Sequence, residues 1–309
     1  MKGFPKGWFV VAWSSEVEEG TVLPLRYFGE DLVLFRAGGR AAVLDAWCPH
    51  LGAHLGHGGC VEEGALVCPF HAWRFSAEGA CVDIPYATKK PRNTDVRAWP
   101  VVERNGAIFV WHHPEGAQPA WEVPTIPEYG TADWLPWSPN CLHGVKTHPR
   151  EIVENVADKA HFPTVHRTEV ERFENEYQDH KATQRTTGTA RPPQGGVDHF
   201  SIEATYFGPA FQISHMSGVL DSILLLAHTP IDEETLDLRF AVSLRRSGPR
   251  TEEFAKFYVE NLRLGFHEDI SIWEHKVYRD RPALCDGDGP IGRLRTWYRQ
   301  FYEEPHGVA

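Results

Sequence analysis

Short apolar runs broken by Gly, Asp and Pro follow one another from Trp8 to about Trp111: WFVVAW, TVLPLRYF, DLVLFRAG, AAVLDAWC, ALVCPF and AIFVWHH. Runs of this length between turn-forming residues predict short β-strands, and their close spacing predicts a small antiparallel β domain. A Trp-rich connector follows, in which Pro114, Pro119, Pro124, Pro127, Pro136 and Pro139 exclude long regular elements. The second half changes period. REIVENVADKAHFPTVH and TEEFAKFYVENLRLGFHEDISIWEHKVY carry apolar residues at helical spacing, while HFSIEATYF, FQISHM, SILLLAHTPI and LDLRFAVSLRR read as strands between them. The pattern predicts an α+β fold in two parts: residues 1–115 as a small antiparallel β domain, and residues 116–309 as an α+β domain with helices covering an antiparallel sheet. RPPQGGVD (191–198) is expected to be a flexible loop, and the EEPHGVA tail is expected to fray.

Charge removes several classes of partner. The formal net charge of the 309 residues is −11, which disfavours nucleic acid and anionic lipid as partners, because both reward clustered Lys and Arg. The longest apolar stretches, such as Ile223–Ala227, fall far short of the roughly 18 residues of a membrane span. The opening MKGFPKGWFVVAW has no signal-peptide apolar core with a small-residue cleavage site. A soluble, cytoplasmic protein is expected. Six dispersed cysteines do not make a disulfide scaffold in a chain of this size, so metal binding is the better use for some of them.

Cys48-x-His50 and Cys68-x-x-His71 each place a thiolate and an imidazole on a turn next to a proline. Two such tips can hold two irons, one ligated by both cysteines and the other by both histidines, which is the Rieske [2Fe-2S] arrangement. The rival, a structural Cys2His2 zinc, usually groups its cysteines together and its histidines together, whereas here they alternate. His54 and His57 are expected to face solvent or support the ligands. Cys60 and Cys81 are expected to be packed thiols, and Trp73 to cover the cluster.

A second constellation lies in the other half. Asn155, Asp158 and His161 are spaced i, i+3, i+6 and would share one helical face. Pro163 is expected to end or kink that helix and bring His166 beside His161. Two imidazoles and a carboxylate form the facial triad of a non-haem Fe(II) site. Asp269, on the long helix, is the chosen carboxylate, with its neighbour Glu268 as the alternative. Asp158 reads either as a carboxylate hydrogen-bonded to a ligating histidine or as a solvated acid on the helix surface.

With CPH…CPFH and ENVADKAHF…H both present, the chain resembles the oxygenase component of Rieske non-haem iron oxygenases from about Trp8 to Tyr302. The segments CPFHAWRF, IPYATKKPR, REIVENVADKAHF, EATYFGPAF, GFHEDISIWEHK and RTWYRQFY look most like the bacterial 3-ketosteroid 9α-hydroxylase branch. The sterol 7-desaturase branch shares fewer pieces in the catalytic half. The resemblance implies that Cys48, His50, Cys68 and His71 hold the cluster, that His161, His166 and Asp269 hold the iron, and that Asp158 is the bridging aspartate. It also implies a homotrimer in which the cluster of one subunit serves the iron of its neighbour.

The chain has no G-x-G-x-x-G dinucleotide fingerprint, so NAD(P)H electrons are expected to arrive through a separate reductase or ferredoxin. The expected reaction is O2-dependent hydroxylation of a C–H bond of a hydrophobic substrate, a 3-ketosteroid or related steroid. Three alternatives stand beside it: a Rieske sterol desaturase or demethylase, an aromatic-substrate monooxygenase, and a Rieske electron carrier without catalysis. A largely apolar pocket is expected. Phe207, Phe211, Met216, Leu224 and Trp273 are its candidate walls, and Gln212 and His215 its candidate polar contacts. Cys141 and Cys285 have no assigned role.

Overall fold

The computed structural model describes residues 3–191, 195–218 and 220–302. The expected loop at 191–198 lies partly outside these residues, and the EEPHGVA tail wholly outside them. The chain divides into two compact units, Trp8–Val123 and the remainder from Pro124 onward joined by the segment ending at Gly7.

In the first unit, β1 (Gly7–Trp13), β10 (Val101–Arg104) and β11 (Ala107–His112) form a three-stranded sheet. A second sheet has the order β2-β3-β4-β9, from β2 (Val22–Tyr27), β3 (Glu30–Ala37), β4 (Arg40–Asp45) and β9 (Ala98–Trp99). A third runs β5-β6-β7-β8, from β5 (Cys60–Glu62), β6 (Ala65–Val67), β7 (Arg74–Phe75) and β8 (Cys81–Asp83). Val33, Phe35, Leu44, Leu55, Leu66 and Phe75 pack into one core with Cys48, Cys68 and Cys81. The unit extends past the expected boundary near 115 because the connector is bonded to it. Trp111 Nε1 donates to Ala117 O (2.9 Å), Trp8 Nε1 to Trp121 O (2.7 Å) and Arg104 Nη1 to Val123 O.

The second unit is built on a seven-stranded antiparallel sheet of order β12-β18-β17-β16-β15-β14-β13. Its strands are β12 (Ser138–Val145), β13 (Thr168–Gln178), β14 (Lys181–Ala190), β15 (Asp198–Phe207), β16 (Phe211–Ser217), β17 (Ser222–Pro230) and β18 (Leu236–Leu244). Helices α1 (Pro149–Glu154), α2 (His161–Val165), α3 (Thr251–Trp273) and α4 (Ile291–Arg299) accompany it. Leu236, Leu238, Phe240 and Val242 of β18 pack with Ala255, Ile270 and Trp273 of α3, so one face of the sheet lies under the long helix. This is the expected helix-covered antiparallel sheet.

The single helix expected over 150–166 is instead two short ones. Asp158 Oδ1 accepts from the amides of Ala160 (3.0 Å) and His161 (3.3 Å), and Asn175 Nδ2 donates to Val156 O (2.6 Å). These bonds occupy backbone groups that a continuous helix would need, which is how a short polar side chain competes with helix propagation. Asn155, Asp158 and His161 therefore do not share one helical face. Pro163 does not end the helix either. It sits in the first turn of α2, where its missing N–H costs nothing. The long helix stops at Trp273, earlier than the apolar pattern extends.

Candidate metal centres and active site

The two cysteine tips repeat one backbone design. Cys48 N donates to Ala53 O (2.9 Å) and Gly52 N to Cys48 O (3.0 Å). Cys68 N donates to Trp73 O (2.8 Å) and Ala72 N to Cys68 O (3.0 Å). In each tip the fourth residue after the cysteine is left-handed, Gly52 at φ +73° and Ala72 at φ +57°. For a residue with a Cβ that conformation is uncommon, so the second tip is locally strained.

Both thiols are buried, and the rings of His50 and His71 lie 4.6 Å apart. Trp73 lies flat on His50 (4.8 Å between centroids, 9° between planes), and its Nε1 donates to Tyr86 O–H at 2.8 Å. Burial pushes the Cys48 thiol up to about 11, so ionising it there requires nearby positive charge. His71 Nδ1 is buried with no hydrogen-bond partner among the described residues. Two buried thiols and two converging imidazoles, one with an orphaned nitrogen, fit a [2Fe-2S] cluster. Around them, His57 is exposed, His54 Nδ1 accepts from Gly56 N (3.0 Å), and Cys81 is packed in the core. Cys60 differs from expectation: it begins β5 on the surface, with its thiol 3.8 Å from Glu62 Oε1.

In the second unit, one ligand atom from each of His161, His166 and Asp269 lies within 4.8 Å of the others. The two rings are 5.1 Å apart, and His166 Nε2 is 3.5 Å from Asp269 Oδ2. His161 Nδ1 lies 2.7 Å from Asp158 O, and a carbonyl can only accept. The Nδ1 nitrogen of His161 therefore carries the proton, and its Nε2 keeps a lone pair for a metal. This main-chain carbonyl takes the place expected for the Asp158 carboxylate, which caps Ala160 and His161 and stands 3.8 Å from Nδ1. Burial opposes ionisation of Asp158, but hydrogen bonds from His161 and Ala160 prevail and hold its pKa below the usual carboxylate value.

Glu268 faces the other nitrogen of His166 (Nδ1 to Oε2, 3.9 Å) and pairs with Arg167 (3.0 Å). Asp269 rather than Glu268 thus completes the three-donor set, which suits a mononuclear Fe(II) with open positions. The chain leaves α2 through Arg167, left-handed at φ +55° and tied to α3 by that ion pair. Nothing in the sequence pattern singled out this clamp.

A cavity of about 410 Å3 opens onto all three donors. Its walls follow the strand period. Phe200, Ile202, Ala204 and Tyr206 of β15 face it, as do Gln212, Ser214 and Met216 of β16 and Leu224 and Leu226 of β17. Asn261, Phe266 and Trp273 line it from α3, and Asn155 lies at its wall beside the histidines. Of the candidates, Gln212, Met216, Leu224 and Trp273 line this cavity. His215, Phe207 and Phe211 do not. His215 points off the opposite face, half-exposed and 3.9 Å from Glu128, while Phe211 is core, its ring 5.9 Å from that of Phe207.

Behind the turn between α1 and α2, Gly289 lies so close that a Cβ there would stand 1.7 Å from Ala157 O. Glu154, at the end of α1, pairs with Arg295 of α4 through two contacts, Nε to Oε2 and Nη2 to Oε1 (3.1 Å). Glu154 opens ENVADKAHF and Arg295 opens RTWYRQFY, but nothing in the sequence pattern paired the two.

Residues 7–102 match the Rieske [2Fe-2S] domain family, and residues 110–302 match the 3-Ketosteroid 9alpha-hydroxylase C-terminal domain family. The fold is shared with dicamba monooxygenase, solved bound to dicamba, at a TM-score of 0.81 and 21% identity over 97% of this chain and 98% of that one. Fold and domain matches define a Rieske non-haem iron oxygenase, whose cofactors are a [2Fe-2S] cluster and a mononuclear iron. The 3-ketosteroid-9-alpha-monooxygenase oxygenase component of Rhodococcus rhodochrous is 36% identical over 326 residues, covering 99% of this chain and 83% of the relative. A cholesterol 7-desaturase of Ciona intestinalis is 31% identical, covering 97% of this chain and 69% of the relative. The chain belongs to the family of 3-ketosteroid 9α-hydroxylase oxygenase components. It is a Rieske monooxygenase that draws its electrons from a separate reductase. No helix among the described residues is long and apolar enough to cross a membrane.

Proposed function

We propose that this enzyme hydroxylates a C–H bond of a 3-ketosteroid or a closely related steroid. The observation that carries the reading is the cavity at His161, His166 and Asp269: its walls are mainly aliphatic and aromatic, with a few amides and hydroxyls among them. Its volume falls in the roughly 300–1,000 Å3 range of small-molecule sites. In this reading Cys48, His50, Cys68 and His71 hold the cluster, and His161, His166 and Asp269 hold the iron. The unit Trp8–Val123 forms the cluster domain, eight residues beyond the expected boundary at 115, and the unit from Pro124 onward the catalytic domain. The assembly is a cytoplasmic homotrimer in which Asp158 stands on the electron path between subunits.

When bound, the cluster supplies electrons singly and the iron supplies O2 activation. Overall, one C–H bond becomes C–OH while one O2, two electrons and two protons yield one water. The chain aims this chemistry. The Asp158 carbonyl fixes the His161 ring, and Glu268 with Arg167 holds the corner that carries His166. The apolar walls exclude water and orient the substrate, and Gln212, whose Nε2 donates one hydrogen to Ser214 Oγ (2.6 Å), keeps its second N–H for a substrate carbonyl.

The test is turnover of 3-ketosteroids, sterols and aromatic acids by the iron-loaded enzyme with a surrogate reductase, NADH and O2, read by mass spectrometry. A gain of one oxygen on a 3-ketosteroid supports the reading. Loss of two hydrogens or of a methyl group moves the assignment to a desaturase or demethylase, an alternative that the identity with the Ciona intestinalis protein favours over an aromatic-substrate enzyme.

A further inference from the structure

A second cluster of donors lies at the edge of the seven-stranded sheet. Cys141 and His143 are two apart on the edge strand β12, and Asp237 lies on its neighbour β18, with one ligand atom from each within 4.8 Å of the others. The pairing of β12 with β18 breaks between Leu142 and Val145, at left-handed Gly144 (φ +67°). Buried Asp237 fills that break and accepts from Gly144 N through Oδ1 (3.2 Å).

His143 Nδ1 is 3.5 Å from Cys141 Sγ and 3.3 Å from Asp237 Oδ2. One imidazole nitrogen carries either one proton or one lone pair, so at best it shares one bifurcated N–H and cannot make a straight bond to both neighbours. An ion can. With Zn–S near 2.3 Å and Zn–N and Zn–O near 2.0–2.1 Å, tetrahedral angles put sulfur and nitrogen about 3.5 Å apart and nitrogen and oxygen about 3.3 Å apart. Both observed distances match these edges.

We propose that Cys141, His143 and Asp237 form a binding site for a divalent ion of the zinc type, separate from the iron and the cluster. The thiolate selects a borderline or soft metal over magnesium or calcium. The fourth ligand is water, because the His143 side chain is 72% exposed and the site opens to solvent. Arg239 Nη1 donates to Asp237 Oδ2 (3.3 Å) and orients the carboxylate, as an outer partner of a metal ligand does. A carboxylate has about four lone-pair sites, so this bond does not exhaust it. The bound ion would tie the edge strand to β18 across the break.

Iron-loaded holoenzyme is exposed to zinc chloride and desalted through a weak chelator. Zinc and iron are then counted by mass spectrometry, and zinc K-edge absorption reports the ligands. One retained zinc per chain is expected, with a sulfur shell near 2.3 Å. Cys141→Ser and His143→Ala should each lower retained zinc at least about tenfold while iron content and the Rieske visible spectrum stay unchanged. His161→Ala should leave the sulfur-ligated zinc in place, which separates this site from zinc trapped at the iron position. The proposal is overturned if the wild-type enzyme keeps no zinc, if its zinc has no sulfur neighbour, or if Cys141→Ser keeps as much as wild type.

Discussion

Gly289→Ala probes whether the turn between α1 and α2 sets the geometry of the three donors. The added Cβ would stand 1.7 Å from Ala157 O and 3.2 Å from Lys159 N. Real Cβ contacts essentially never fall below 3.0 Å, so one backbone must retreat by 1.3 Å, the difference between 3.0 and 1.7 Å. The glycine side resists, because Gly289 precedes a proline and its carbonyl accepts from Ile291 N at 2.8 Å. The turn is the softer side, and a displacement there passes to Asp158 and His161, one and four residues further on. Overpacking of this kind costs about 1–3 kcal/mol. A misplacement of about 1 Å at a reacting centre costs on the order of a hundredfold in rate. Turnover per bound iron, measured with a saturating surrogate reductase, should therefore fall on the order of a hundredfold, with the Rieske spectrum unchanged because the cysteine tips belong to the other unit. Wild-type turnover per iron in Gly289→Ala would refute the idea that this turn positions His161.

Asp158→Asn keeps an oxygen to cap Ala160 and His161 but removes the charge. Product formation should drop by about 10- to 100-fold with iron and cluster retained, and full activity would remove Asp158 from the electron path. Arg295→Ala leaves the Glu154 carboxylate, whose side chain is 11% exposed, with only the long contact to Lys276 Nζ (3.9 Å). A loss of about 3–5 kcal/mol is expected, read as a lower chemical-denaturation midpoint, and an unchanged midpoint would mean that the pair contributes nothing. Acid should also destabilise the second unit through His148 and His228, whose pKa values burial lowers to about 4 and about 3. Both folded values lie below the unfolded value near 6.5. Stability is thus fully present above pH 6.5 and is lost as pH falls from there through about 4 for His148 and about 3 for His228, and His148 alone accounts for roughly 3 kcal/mol. Denaturation midpoints measured from pH 7.5 to 4.5 should show this slope, and His228→Phe should flatten it.

The parts legible in the sequence were those encoded locally. Cys48, His50, Cys68 and His71 announce themselves by spacing, and β15 to β18 by apolar runs. Strand β14 was not visible because its inward positions are largely polar: it buries Ala182, Gln184 and Thr186, so no apolar alternation marks it. In β13 the inward Val170, Phe173 and Tyr177 are set among charged residues, and the bulge between Val170 and Arg172 breaks the period of two. The break between α1 and α2 was equally hidden, since it depends on Asn175 from a distant strand and on the room left by Gly289. His215 was misplaced by one position in a period of two, which is enough to turn a side chain to the other face of a sheet.

The four proposed cluster donors fall between Cys48 and His71, inside a unit that holds three separate sheets and ends at Val123. The proposed set of iron donors is complete only at Asp269. At about 5–20 residues per second, translation separates the two events by roughly 7 to 30 s. During synthesis the unit proposed to hold the sulfur-bridged cofactor can therefore fold well before the pocket proposed for mononuclear iron exists, so the order of the residues sets the order in which the two sites can form.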